Sequence, residues 1–354
     1  MAAIGFFNVK EHIVRAYHVR EYPGSTSGSQ NDSLYLHVKQ YVSNMHTSKG
    51  DKASVTILSS PGVGLPKELY EPLWDDLYKK IQSNEEFSIH GIWIASAVNF
   101  GGSGVLNEGK LGSEYCWLDH SRDLLLLVNR FCDQMAHPIL GLGHSFGACQ
   151  LPGGSPGLVN YTLYRKDLWP NRAAAPESKA KLALERMIRY RYRDSPTALH
   201  PELPADSDPS DPPVTLTTSK SMTLPLSYEP IMLNGKFYVD RETHADQDPD
   251  LAILPFTRSE TQNTWHRLPS LRPSTMFLLG GKTYLNLREM REGVKKAGTG
   301  VGSSGDIDEH KVRELCFEWL CQELNNYVQK EDKWNFERSL MGSRDHLTVY
   351  GRWK

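Results

Sequence analysis

Residues 138–150 read Pro-Ile-Leu-Gly-Leu-Gly-His-Ser-Phe-Gly-Ala-Cys-Gln, and the fold turns on them. A short apolar run from Pro138 to Leu142 ends abruptly in Gly143-His144-Ser145-Phe146-Gly147, the G-x-S-x-G pattern of a strand-to-helix turn that lifts a serine above a sheet. The serine of such a turn has a strained backbone, and a side chain two residues to either side would collide with the neighbouring strand or helix. Glycines at 143 and 147 answer that requirement, and Ala148 keeps the helix side small. Ser145 is therefore the candidate nucleophile, and the Phe146 N–H the first candidate donor to an oxyanion.

Working outward, residues 11–22 and 33–42 alternate apolar and polar side chains and predict an antiparallel hairpin. Ser54 to Leu58 is a β-branched run that ends in Pro61-Gly62-Val63-Gly64. A helix is expected from about Lys67 to Ile81, with Leu69, Leu73, Trp74 and Leu77 on one face, then a strand over Gly91–Ala95. A glycine-rich loop over Asn99–Glu114, a helix over Asp119–Gln134 and the elbow strand follow. This alternation predicts a mostly parallel sheet with helices on both faces, in which ligands sit beyond the carboxyl ends of the strands. The Gly62–Gly64 loop and the elbow leave that same edge, so the N–H of Val63 or Gly64 is the second oxyanion donor expected.

After the elbow, Pro152, Gly153, Gly154 and Pro156 stop the helix within two turns. Residues 157–262 are loop-rich and polar, as suits a lid, and carry a basic stretch whose Arg186, Arg189, Arg191 and Arg193 are candidates for phosphate contact. Regular structure returns with a strand at Ser274–Gly280, a helix over Asn286–Lys296 and a long amphipathic helix from Asp308. The formal G-x-G-x-x-G at Gly300, Gly302 and Gly305 follows a helix instead of a strand and is no dinucleotide cradle. The expected division is a first core part at 1–156, a lid at 157–262, a second core part at 263–340 and a polar tail at 341–354.

The bulk properties narrow the function. The chain has 354 residues, of which 39% are hydrophobic, with a formal net charge of −2 and no block of like charge. That argues against nucleic acid as the partner. The longest apolar run, Leu124 to Val128, is far too short to span a bilayer. Five cysteines without a C-x-x-C pair suit buried, reduced thiols in an intracellular protein. No cofactor or metal is expected.

Several strings give the chain a family likeness: Val19-Arg20-Glu21-Tyr22-Pro23-Gly24, Gly64-Leu65-Pro66-Lys67-Glu68-Leu69-Tyr70-Glu71-Pro72-Leu73-Trp74, Gly91–Ala95, Ser103–Glu108, Asp133-Gln134-Met135, Gly143–Gly147, Tyr164–Pro170 and Gly280–Gly300. On these the chain resembles the fungal α/β-hydrolases of secondary metabolism known as AK-toxin-type hydrolases, a family that includes an acyl-CoA hydrolase of mycophenolic acid biosynthesis. The resemblance implies an α/β-hydrolase fold with an inserted lid. It also implies ester or acyl-CoA thioester hydrolysis by a serine, a place in toxin or polyketide biosynthesis, and residence in the peroxisome. Arg352-Trp353-Lys354 is not the Ser-Lys-Leu type of peroxisomal address, which leaves the cytoplasm as the alternative.

The chain departs from the family at three places. His-x-Asn-Gly is replaced by Pro61-Gly62-Val63-Gly64; the apolar run ending in Asp-Pro that carries the acid is missing; and so is the Gly-His-Leu that carries the base. Asp167 and His310 are the expected substitutes as acid and base, with His346 second in line for the base. A sheet that has lost two strands is expected to be incomplete, with unpaired edges. An unassisted serine is a poor nucleophile, so the rival expectation is a family member that binds without catalysing.

Overall fold

The computed structural model describes residues 2–44, 53–82, 87–148, 168–172, 181–205, 207–227, 229–230, 232–233, 236–237, 242, 245, 256–257, 259–272, 276–279, 287–303 and 346–353. The chain opens with β1 (Ala2–Ile4), β2 (Phe7–Arg15), β3 (Tyr35–Ser43) and β4 (Ala53–Ser60). Helix α1 (Glu71–Gln82), β5 (Phe87–Ala95), the short α2 (Gly101–Leu106), α3 (Trp117–Arg130) and β6 (Ile139–His144) follow. The expected hairpin is β2 on β3, with Phe7 opposite Ser43. The stretch read as a glycine-rich loop contains α2, because Ser103 and Asn107 satisfy backbone groups of β3 and hold the turn in place. Ser103 Oγ accepts the His37 N–H at 2.8 Å, and Asn107 Oδ1 accepts the Tyr35 N–H at 2.8 Å.

Alternation along β5 sets the two sides of the sheet. Ile92 and Ile94 pack with Ile57, Tyr41 and Trp74 beneath α1. Trp93 and Ala95 point the other way, into a core with Leu36, Leu127 of α3 and Phe146. Each such fully buried side chain contributes about 1.5–3 kcal/mol. The expected apolar face of α1 is the one used: Leu69, Leu73 and Leu77 pack on the first of these cores beside Trp74.

Beyond β6 the described residues form a small sheet on the core, made of β7 (Leu168–Trp169), β8 (Tyr192–Asp194) and β9 (Val214–Leu216). Helix α4 (Lys181–Arg191) runs into β8. Next come α5 (Lys220–Ser227), α6 (Ser259–Arg267), β10 (Met276–Leu279), α7 (Leu287–Val294) and β11 (His346–Trp353). The long helix expected from Asp308 lies outside the described residues.

The main sheet has eight strands in the order β1-β2-β3-β5-β4-β6-β11-β10. It is mixed: the parallel ladders are β4 with β5 and β4 with β6, at the centre. The position next to the elbow strand is filled by β11, antiparallel to both β6 and β10. Residues 346–353, read from sequence as part of a polar tail, are His-Leu-Thr-Val-Tyr-Gly-Arg-Trp, rich in the residue types that suit a pleated surface. An unpaired β6 would leave a row of backbone donors and acceptors open, and β11 closes it. Deletion of residues 346–354 is expected to convert a monodisperse protein into one that aggregates on concentration, read by size-exclusion chromatography with light scattering.

Candidate active site

The carboxyl ends of β4 and β6 lie side by side, with Ser60 opposite Gly143. The loop after β4 and the turn after β6 therefore leave one edge together. Ser145 has a φ of 51°, the left-handed region that a β-substituted residue occupies only when its surroundings hold it there. Gly147 shows what does the holding: a Cβ there would lie 2.1 Å from the Ser60 carbonyl oxygen. Residues Ser145–Ala148 form a 3-10 turn packed against β4 and β11. No hydrogen bond of Ser145 Oγ is formed among the described residues.

Behind the turn Phe146 is buried, wedged among Tyr115, Trp117 and His120. The His120 ring stacks on Phe146 with centroids 5.9 Å apart, and its Nε2 lies 3.1 Å from Ser60 Oγ. Burial first, and the Arg20 charge second, pull the imidazole pKa down to about 3. His120 thus backs the turn through Phe146 and reaches the hydroxyl of Ser60 at the end of β4.

On the facing side, Gly64 has a φ of 81° and a Cβ added to it would meet nothing within 4 Å, so the loop backbone is open to its surroundings here. The Val63 and Gly64 N–H groups form no hydrogen bond among the described residues. The Gly62 N–H is spent, donated to Tyr70 Oη at 2.9 Å. Tyr70 Oη also lies 2.7 Å from Nδ1 of His144, the residue before the serine.

A buried set of charges anchors the same loop. Lys39 lies within 3.4 Å of both Glu68 and Glu71, Lys67 lies within 3.4 Å of Glu68, and Lys67 Nζ is 2.8 Å from His37 Nδ1. The opposed carboxylates outweigh burial at Lys39 and hold its pKa above the ordinary lysine value. At Lys67 burial wins and the pKa falls. Arg186 of α4 donates to Glu71 at 2.7 Å, and the Lys39 ammonium sits 4.8 Å from the Tyr190 ring centre, so α4 docks on this set. Arg193 grips Glu108 with both terminal nitrogens. Two of the four arginines nominated for phosphate contact are therefore engaged with carboxylates of the core.

Of the residues singled out from sequence, Ser145, Phe146, Val63 and Gly64 come together at one edge. Asp167 and His310 lie outside the described residues. His346 opens β11: the next residue, Leu347, is opposite His144, and His346 itself is opposite Leu279 of β10. It thus stands at the ladder position beside the elbow. Sequence reading missed Tyr70, His144 and His120 as parts of the site; Tyr70 lies inside the string Gly64–Trp74 and His144 inside Gly143–Gly147, whereas nothing marks His120. Cys116 is buried as expected, whereas Cys132 is exposed on the turn after α3. No group of three or more potential metal ligands occurs among the described residues, and no described helix is long and apolar enough to cross a membrane.

No family model matches the chain. The type I acyl-CoA thioesterase mpaH of Penicillium roqueforti is 37% identical to it over 98% of this chain and 94% of the relative. The chain belongs to the mpaH family of fungal thioesterases. A second member, mpaH' of Penicillium brevicompactum, is likewise 37% identical over the same shares. The mpaH alignment runs over 416 positions against 354 residues here, so the relatives carry segments with no counterpart in this chain. Among solved structures, the peroxisomal α/β-hydrolase Lpx1 of Saccharomyces cerevisiae superposes with a TM-score of 0.60 at 16% identity, covering 95% of both chains. The fold is the α/β-hydrolase fold.

Two consequences can be measured. Folded His120 stays neutral to about pH 3, whereas the unfolded imidazole takes its proton near 6.5. Its contribution is complete above pH 6.5 and is lost as pH falls towards 3, at about 1.4 kcal/mol per pH unit. Urea unfolding of His120→Gln between pH 6 and pH 4 is expected to show a slope shallower by that amount. Glu71→Leu, which takes the carboxylate from Arg186 and leaves Lys39 with Glu68 alone of its two buried partners, is expected to lower unfolding free energy by up to about 3–5 kcal/mol in the same assay.

Proposed function

We propose that this chain is a serine-dependent thioesterase that cleaves an acyl-CoA thioester of fungal secondary metabolism. The observation that carries the reading is Ser145 in a left-handed turn at the carboxyl end of the strand beside the Val63–Gly64 loop. Membership of the mpaH family supplies the substrate class.

In this reading Ser145 Oγ attacks the thioester carbonyl carbon while a histidine takes its proton. The carbonyl oxygen becomes an oxyanion, which accepts from the N–H groups of Phe146 and of Val63 or Gly64; such donors contribute about 3–4 kcal/mol each to the barrier. The C–S bond then breaks, the histidine returns the proton to the coenzyme A sulfur, and an acyl-serine is left. Water, deprotonated by the same histidine, attacks that ester, releases the acid and restores Ser145. Asp167 and His310 are the acid and base proposed from sequence. We favour His346 for the base, because the register of β11 puts it beside the turn. We assign the protein to the peroxisome on its likeness to Lpx1.

A second reading, a family member that binds without catalysing, draws on the segments by which the relatives exceed this chain. Fluorophosphonate labelling of the folded protein separates the two. The thioesterase reading expects labelling that disappears in Ser145→Ala and falls at least about 1000-fold in rate in His346→Ala. It also expects release of free thiol from palmitoyl-CoA. Absence of label on a protein that melts cooperatively favours the binding reading.

A further inference from the structure

We infer that the Tyr70 hydroxyl is a positioning group for catalysis, clamping the loop that carries the Val63 and Gly64 N–H groups to the strand that carries Ser145. The inference rests on the hydrolase reading above and adds to it how the two halves of the oxyanion site keep their spacing.

The hydrogen-bond polarity follows from counting donors. Gly62 N–H can only donate, and it donates to Tyr70 Oη. The hydroxyl has one proton, and Tyr70 is buried, so that proton needs an acceptor. His144 Nδ1, at 2.7 Å, is that acceptor. The chain of donation is Gly62 N–H to Tyr70 Oη–H to His144 Nδ1, which leaves His144 with its proton on Nε2. Burial raises the phenol pKa above its ordinary value, so the hydroxyl keeps its proton throughout the working pH range.

The clamp ties a backbone N–H on the loop to an imidazole ring on the strand. One end is the residue before Val63; the other is the residue before Ser145. Tyr70 is itself fixed: it closes the short 3-10 turn Lys67–Tyr70, whose Lys67 and Glu68 are tied into the buried charges around Lys39, and its ring stacks on Trp74. A Cβ on Gly62 would come 3.1 Å from His144 Nδ1, so the approach of loop and strand is already close and the glycine keeps it open. A displacement of about 1 Å between oxyanion donors and nucleophile lowers rate by about 100-fold without altering what binds the substrate.

The test measures palmitoyl-CoA hydrolysis and fluorophosphonate labelling for wild type, Tyr70→Phe, His144→Leu and the double variant, with thermal melts of each. Tyr70→Phe is expected to lower kcat about 10- to 100-fold with KM within about threefold of wild type, because the loss falls on transition-state geometry. His144→Leu is expected to match it, and the double variant to be no worse than the poorer single one, since both remove one bond. His144→Asn, which offers an acceptor near the Nδ1 position, is expected to return kcat part of the way from the leucine variant. Unchanged kcat in folded Tyr70→Phe, or losses that multiply in the double variant, overturn the clamp. Should Tyr70→Phe fail to melt cooperatively, full kcat in His144→Leu overturns it instead. A wild-type chain that neither labels nor hydrolyses overturns the thioesterase reading, and the clamp with it, whereas an active wild type with an unaffected Tyr70→Phe removes the clamp alone.

Discussion

A carbonyl oxygen at the end of one strand leaves no room for a side chain on its neighbour. That contact, Ser60 against Gly147, is made possible by the parallel register of β4 and β6, and it compels the chain to turn sharply after His144. The left-handed backbone at Ser145 is the local result. Its energetic penalty, on the order of 1–3 kcal/mol, is sustained because Phe146 is pinned by three aromatic neighbours and β11 covers the outer side of β6. Strain at one residue is thus held by packing at several.

The loop on the other side is held differently. Lys39, Lys67, Glu68 and Glu71 are all at most 5% exposed, a concentration of charge whose desolvation would be prohibitive without mutual pairing. Pairing makes it tolerable, and it gives direction: these groups fix the turn after the loop, while Arg186 brings α4 to the same carboxylate. Buried ion pairs of this kind add little stability over an apolar packing, but they admit few alternative arrangements. The apolar support under Ser145 and the ionic support beside Gly62 meet at the His144–Tyr70 contact.

Much of this was legible in the residues. The alternation in β3 and β5, the apolar face of α1 and the glycines of the elbow follow from local rules, because each concerns neighbours close in sequence. The Gly62–Gly64 loop was legible through the same logic, as a glycine turn at a strand's carboxyl end. What escaped was long-range pairing. Nothing local says that His346–Trp353 enters the sheet beside β6, since polar side chains such as His346, Thr348 and Arg352 disguise a strand whose backbone is what matters. The arginines of α4 and β8 likewise read as an exposed basic face, and only the approach of Glu71 to Arg186 and of Glu108 to Arg193 from elsewhere in the chain turns two of them inward. His120 gave no sign, because a histidine on an amphipathic helix looks the same whether it meets solvent or the back of the turn that holds Ser145.

The place of β11 bears on how the protein is born. The strand next to β6 is synthesised roughly 200 residues after it, so the sheet around the serine stays open on one flank through most of translation. During that interval β6 presents a bare, glycine-rich edge to the cytosol, and any extended segment of a neighbouring nascent chain is a rival for it. Polysome spacing and chaperone supply, more than the stability of the finished fold, would then govern how much of this protein a cell obtains.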